Sequence, residues 1–160
     1  MIKKESPQEV LDDTDLSILR HIQNEGRISN SKLAEKVHLS ETPCWRRWKR
    51  MEEAGYIDGY NAVLNRKKLG FQVSGFTFVT LGNHEVENTE PFEEYAAATD
   101  WILMCHCIAG SADYLVQVVA KDLEEYFEHI SAIRRVKGVS AIQSNISVKQ
   151  IKNSFQLPLK

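Results

Sequence analysis

The chain has 160 residues, enough for one ordinary domain or two small ones. Its 42% apolar and 26% charged residues are those of a folded globular protein, and no apolar run approaches the roughly 20 residues a membrane span needs. The net charge of −2 excludes a chain-wide basic surface, but residues 1–70 hold 13 Lys and Arg against 11 Asp and Glu, whereas residues 71–160 hold 7 against 11.

Three cysteines at irregular spacing build no disulfide framework, and the start MIKKESPQEV lacks the apolar segment of a secretory signal. A cytoplasmic location is therefore expected, with no membrane partner. Residues 1–11 read as a flexible polar leader.

From Asp12 the pattern is helical, with Leu16, Ile18, Leu19 and Ile22 as the apolar stripe. Asp12, Asp13, Thr14 and Asp15 supply N-cap candidates and first-turn acids, and Gly26 is the expected stop. A second helix is expected from Ser31 to Val37, followed by a tight turn at His38–Ser40. The third helix falls in SETPCWRRWKRMEEAG, between Ser40 and Gly55. Ser40 or Thr42 can cap it, Pro43 is tolerated in its first turn, and Gly55 ends it.

At about 100° per residue, Cys44, Trp48 and Met51 share one side of this third helix. Arg46, Lys49 and Arg50 lie opposite, with Arg47 and Trp45 on the flanks. One side packs; the other carries positive charge. Three helices with a short turn before the third make a helix-turn-helix, whose last helix enters the major groove of double-stranded DNA. The expected DNA-binding residues are Arg46, Arg47, Lys49 and Arg50, with Ser40 and Thr42 placed for phosphate at the leading end. Tyr56–Tyr60 is expected as a short strand and turn, a small wing. The DNA-binding domain thus spans residues 12–60, and residues 61–70, NAVLNRKKLG, read as a linker.

From residue 71 the period becomes alternating. A strand is expected through Val73–Leu81, then a polar loop over Asn83–Glu90 and a helix opened by Pro91. A second strand follows over Trp101–Ala109, a hairpin turn at Gly110–Asp113 and a third strand over Tyr114–Ala120. Asp122 caps a helix with Leu123, Phe127, Ile130 and Ile133 inward; Gly138 closes it, and Val139–Val148 is a fourth strand. The order β-α-β-β-α-β is that of a ferredoxin-like domain over residues 71–160, so the whole chain is α+β. Its uncovered sheet face carries apolar residues, and self-association is expected.

Cys105-His106-Cys107 does not make a metal site, because on a strand the thiols face one side and the imidazole the other. No nucleophile, acid and base fall into a catalytic arrangement, so no enzymatic activity, metal or cofactor is expected.

With these features in place the chain resembles the Lrp/AsnC, or feast/famine, family of transcriptional regulators from about Leu11 to Leu159. The first half carries the motif TPC-x-x-R-x-x-R-M-E-x-x-G-x-I at Thr42-Pro43-Cys44, Arg47, Arg50, Met51, Glu52, Gly55 and Ile57. The second half carries G-x-x-D-Y at Gly110, Asp113 and Tyr114. The resemblance implies a winged helix-turn-helix joined to an effector-sensing domain, and a homodimer that assembles to an octamer or other higher oligomer. It implies an amino-acid effector bound where dimers meet, with Gly110, Asp113 and Tyr114 as effector-binding residues. Many members have an acid directly after the glycine; this chain has Ser111.

Two other functions fit parts of the pattern. One is an architectural DNA-binding protein without an effector. The other is a small-molecule-binding ferredoxin-like domain whose helical part docks a protein.

Overall fold

The computed structural model describes residues 10–82 and 86–159, the side chains of 86–88 excepted. The chain forms two compact units: the residues up to Val63 together with the chain end from Asn153, and Leu64–Lys152.

In the helical unit, α1 (Asp13–Asn24) begins at Asp12. The Asp12 side chain accepts the Asp15 amide, and the Asp15 side chain accepts the Asp12 amide. This reciprocal box satisfies two donors that a helix start leaves open. The helix ends at Asn24 with Glu25 as C-cap, its amide donating to the His21 carbonyl, and the expected stop Gly26 follows directly. Ser29 caps α2 (Asn30–Lys36) by accepting the Lys32 amide at 3.3 Å. His38 turns the chain with φ 55, and α3 (Glu41–Glu53) follows. Gly55, at φ 76, ends it in a conformation that side chains resist. Ile18, Ile22, Leu33, Cys44, Trp48 and Met51 form the core.

The expected wing strand is not formed. Residues 57–60 have no regular structure, because a strand needs a partner and this unit's described residues contain no other. The chain end belongs here and not with the second domain. The Gln23 side-chain amide donates to the Leu157 carbonyl at 3.0 Å and accepts the Leu157 amide at 2.9 Å. Gln156 Nε2 donates to Asn24 Oδ1 at 2.7 Å.

The second unit is a four-stranded antiparallel sheet: β1 (Val73–Leu81), β2 (Ile102–Cys107), β3 (Tyr114–Ala120) and β4 (Val139–Ile146), in the order β2-β3-β1-β4. With α4 (Val86–Ala98) and α5 (Leu123–Arg134) this is the expected ferredoxin-like fold. Val79, Leu81, Val116 and Val118 pack with Phe92, Tyr126, Ile130 and Ile133 in one core. Phe76, Phe78, Met104 and Leu115 alternate with core residues and lie half-buried on the opposite face.

Three details differ from the sequence pattern. Pro91 lies inside α4, not at its start. At the sixth position it removes one helix hydrogen bond and its ring crowds the carbonyl four residues earlier, so the helix continues through it at a local cost. Of the expected loop, residues 83–85 lie outside the described residues. On α5, Tyr126 takes the inward place, whereas Leu123 and Phe127 are exposed. Gly75 decides this: a Cβ there would stand 2.0 Å from the Tyr126 hydroxyl oxygen, so only glycine leaves room for the phenol. The linker is not plain solvated chain either. Arg66 donates to the Phe71 and Gln72 carbonyls at 2.7 and 3.1 Å, bracing the turn before β1.

Candidate nucleic-acid and effector sites

The seam of α3 is the one its periodicity demands: Cys44, Trp48 and Met51 are buried. Burying Trp48 and Met51 contributes about 2–3 kcal/mol each and fixes the helix rotation. Burial also pushes the Cys44 thiol upward in pKa, so it remains a packed thiol.

That rotation leaves Thr42 and Arg46 exposed. Ser40 occupies the N-cap with extended backbone, but its side chain makes no capping hydrogen bond. Its hydroxyl is therefore not committed to the helix end, unlike the caps Asp12 and Ser29. Arg46 has no ion-pair partner among the described residues.

Arg47 and Arg50 are not the freely solvated cations that the helical phase suggests. Arg47 Nη1 meets Asp12 Oδ2 at 2.6 Å and Asp15 Oδ1 at 2.9 Å. Arg50 Nη2 meets Asp15 Oδ2 at 2.6 Å. Asp15 is only 1% exposed, so its carboxylate takes the two guanidinium groups as its counter-charge. The Asp15 amide and then the Arg47 guanidinium hold the Asp12 carboxyl below its usual pKa. Asp12 followed by Asp15 raises that of Arg47. A signal for this lay in the sequence: Asp15 sits in phase with Ile18 and Ile22, an acid on the apolar stripe.

Lys49 is also engaged. It reaches Glu52 Oε2 at 3.1 Å. Trp48 Nε1 donates to the Tyr60 hydroxyl at 2.5 Å, and Tyr60 donates to Glu52 Oε1 at 2.9 Å. Glu52, unfavourable to the helix dipole, is thus the hub that ties the segment after α3 back onto it. The Tyr60 hydroxyl lowers the Glu52 pKa most, against a smaller desolvation effect and with help from Lys49.

At the β2–β3 hairpin, Gly110 and Ser111 are exposed, and a Cβ on Gly110 would meet nothing within 4 Å. Asp113 turns onto β1: its Oδ2 accepts the Leu81 amide at 2.7 Å, and its own amide donates to the Val79 carbonyl at 3.0 Å. The Tyr114 hydroxyl donates to Glu93 Oε1 on α4 at 2.6 Å. Burial, then Glu93, pushes the Tyr114 phenol well above its usual range. Two of the three candidate effector residues thus fasten the hairpin to β1 and to α4. Glu93, which sequence reasoning missed, is the second partner. Next to them, Glu93, Ala97, Met104, Cys105, Cys107 and Tyr114 line a cleft of about 440 Å³. Burial raises the Cys105 pKa. Among the described residues no group of three or more His, Cys, Asp or Glu is placed to hold a metal.

Residues 11–58 match the family model for winged helix-turn-helix DNA-binding, and residues 74–157 match that of the Lrp/AsnC ligand binding domain. The chain belongs to the Lrp/AsnC family. A leucine-responsive regulatory protein of Rhizobium meliloti is 33% identical over 150 residues, covering 93% of this chain and 96% of that protein. The leucine-responsive regulatory protein of Escherichia coli K12 is 33% identical over 158 residues, covering 98% and 96%. A transcriptional regulator of Neisseria meningitidis, solved with L-Met, superposes with a TM-score of 0.90 at 32% identity over 94% of this chain and 97% of that one. An AsnC family transcriptional regulator of Agrobacterium tumefaciens gives 0.88 at 32% identity over 93% and 97%. As a member of the Lrp/AsnC family this chain is a transcriptional regulator, with a DNA-binding helix-turn-helix and a ligand-binding domain. No helix among the described residues is long and apolar enough to cross a membrane.

Proposed function

We propose that this Lrp/AsnC-family regulator acts in the cytoplasm, without enzymatic activity, by binding specific double-stranded DNA through α3. Its affinity or assembly is shifted by a small amino acid or related metabolite. The observation that carries the reading is the division of labour on α3: a buried seam of Cys44, Trp48 and Met51, and an exposed leading edge with Ser40, Thr42 and Arg46. Arg46 and Lys49 meet base edges or phosphates, and Ser40 and Thr42 meet phosphate. Arg47 and Arg50 serve DNA binding chiefly by locking α3 onto α1, with their partly exposed guanidinium groups (side chains 32% and 39% exposed) at the edge of the contact.

The effector binds near Gly110, where the turn is open; Asp113 and Tyr114 set the shape of that turn. The complex of the Neisseria relative with L-Met supports an amino acid as the ligand class. The half-buried Phe76, Phe78, Met104 and Leu115 face supports a homodimer built sheet to sheet, and dimers then assemble further. One α3 with few free cations binds weakly, and a dimer presents two together.

A gel shift on the DNA beside this protein's own gene, with and without each standard amino acid, tests the reading. A shift that Arg46→Ala weakens and that one amino acid modulates is expected. No binding to that DNA refutes regulation of its own gene through α3. Binding indifferent to all twenty amino acids refutes the sensing role and leaves an architectural protein.

A further inference from the structure

The cleft beside β2 and α4 has walls whose chemistry neither the DNA contact nor the Gly110 turn uses. Cys105 and Cys107 pair across to Val116 and Tyr114, both core residues. The two thiols therefore share the face of β2 that looks toward α4, and His106 between them takes the other face. Both thiols are free, Cys105 half-buried and Cys107 exposed, and both line the cleft. β2 is an edge strand, so no further strand of its own sheet stands beside it.

The imidazole points away, so the Cys-His-Cys run does not act as three ligands, and among the described residues no third His, Cys, Asp or Glu completes a cluster. An ion that wants four donors, as zinc does, is not served here. An ion that takes two is. Residues two apart on a strand are separated by about 6.7 Å. Thiols leaning toward one another narrow this to roughly 4.6 Å, the span of two collinear metal–sulfur bonds of about 2.3 Å each. Cys107 is close enough to act on the ionisation of Cys105, and both act on Tyr114. Charge then selects the valence. Among the described residues that line the cleft, Glu93 alone is charged, and its Oε1 accepts the Tyr114 hydroxyl. A monovalent ion on two thiolates leaves one more negative charge beside that carboxylate, whereas a divalent ion leaves a neutral group. Burial, then Glu93 and Cys107, raise the Cys105 pKa, so the thiol keeps its proton, and with it its resistance to oxidation, until an ion displaces it.

We propose that Cys105 and Cys107 form a two-thiol site for a soft divalent cation that accepts linear coordination. Binding replaces two S–H bonds by two metal–sulfur bonds and releases two protons to water; no electron is transferred. The site draws on β2 and not on the exposed Gly110 turn, so it stands whether or not an amino acid binds at that turn. It adds a metal ion to the ligand classes that the second unit takes.

The test uses freshly reduced full-length protein, with mercuric ion as the probe at one ion per chain. Retained metal is read from the thiolate-to-metal charge-transfer absorption in the ultraviolet while a competing monothiol is titrated in. A single protein thiol yields its ion readily to the competitor, whereas a chelating pair resists, because the second bond forms within one molecule. Cys105→Ser and Cys107→Ser each lower the competitor concentration that strips the ion by about a hundredfold or more. Cys44→Ala, in the other unit, leaves retention as in the wild type. Cys107 is exposed, so its serine variant keeps the wild-type melting curve, which separates lost binding from lost folding. Wild-type protein stripped as readily as Cys107→Ser overturns the proposal, and so does retention that Cys44→Ala abolishes. Zinc held with the same resistance would mean four donors and overturns the two-thiol geometry. Gel shifts of the Cys107→Ser variant with and without amino acids report separately on the sensing reading.

Discussion

Arg46 and Arg47 are neighbours on the same helix with the same charge, and the structure gives them different surroundings: Arg47 is paired with Asp12 and Asp15, whereas Arg46 is exposed. Arg47→Ala removes the partner of Asp15 Oδ1 and the main ion-pair partner of Asp12. Asp15 keeps Arg50 on its other oxygen, so one buried acceptor site is left short of a donor. That costs about 1–3 kcal/mol. The Asp12 pair is half in water, with that side chain 52% exposed, and adds little. About 1–3 kcal/mol in all is lost from the helical unit. Arg46→Ala touches no such pair and stays within about 0.5 kcal/mol of wild type. Its loss appears instead as about 1–3 kcal/mol of DNA affinity and a shallower salt dependence. Urea unfolding followed by Trp45 and Trp48 fluorescence measures the first quantity, and gel shifts at two salt concentrations measure the second. An Arg47→Ala variant with an unmoved urea midpoint and only a loss of DNA affinity would refute the assignment. So would an Arg46→Ala variant that unfolds early.

Other outcomes follow from single contacts. Gly75→Ala drives a Cβ into the Tyr126 hydroxyl and the Asn145 carbonyl, so unfolding of the sheet unit shifts by about 3 kcal/mol; an unchanged melting curve would mean that Tyr126 has room to withdraw. Ser29→Ala and Asp122→Ala each cost about 1 kcal/mol through a lost cap, whereas Ser40→Ala costs nothing measurable in the free protein. If Ser40 meets phosphate, its alanine variant shows a deficit only on DNA. His129 stacks flat on Trp101 at 4.0 Å, and burial lowers its pKa below the ordinary 6.5. The unfolded chain then takes up the proton first, so its stabilising contribution is complete above about 6.5 and falls away below it. Urea midpoints between pH 7.5 and 5.5 should drop in the wild type and drop less in His129→Gln. Asp12, its pKa lowered by Asp15 and Arg47, acts in a separate acid window: its contribution holds above the ordinary 3.8 and is lost as pH falls through its folded value.

Periodicity and end signals carried most of the fold. The alternation from residue 73 and the caps Asp12 and Asp122 are local properties, and the elements formed where those signals stood. The wing strand, the entry to α4 and the inward residue of α5 were not legible, because each depends on a partner distant in sequence. A strand needs a neighbour, and the choice of Tyr126 over Phe127 needs the hole at Gly75.

On α3 the sequence by itself determined the buried side, since Cys44, Trp48 and Met51 fall in phase whatever surrounds them. It also determined that cations crowd the rest of the helix. Only the tertiary structure decided which of them are free. Arg47 and Arg50 reach acids that lie 32–35 positions earlier in the chain. Lys49 is held by Glu52, itself fixed by Tyr60. Helical phase assigns a side chain a direction but not a partner. An ion pair is set by distances across the fold, and the buried Asp15 supplies the attraction that phase alone cannot encode.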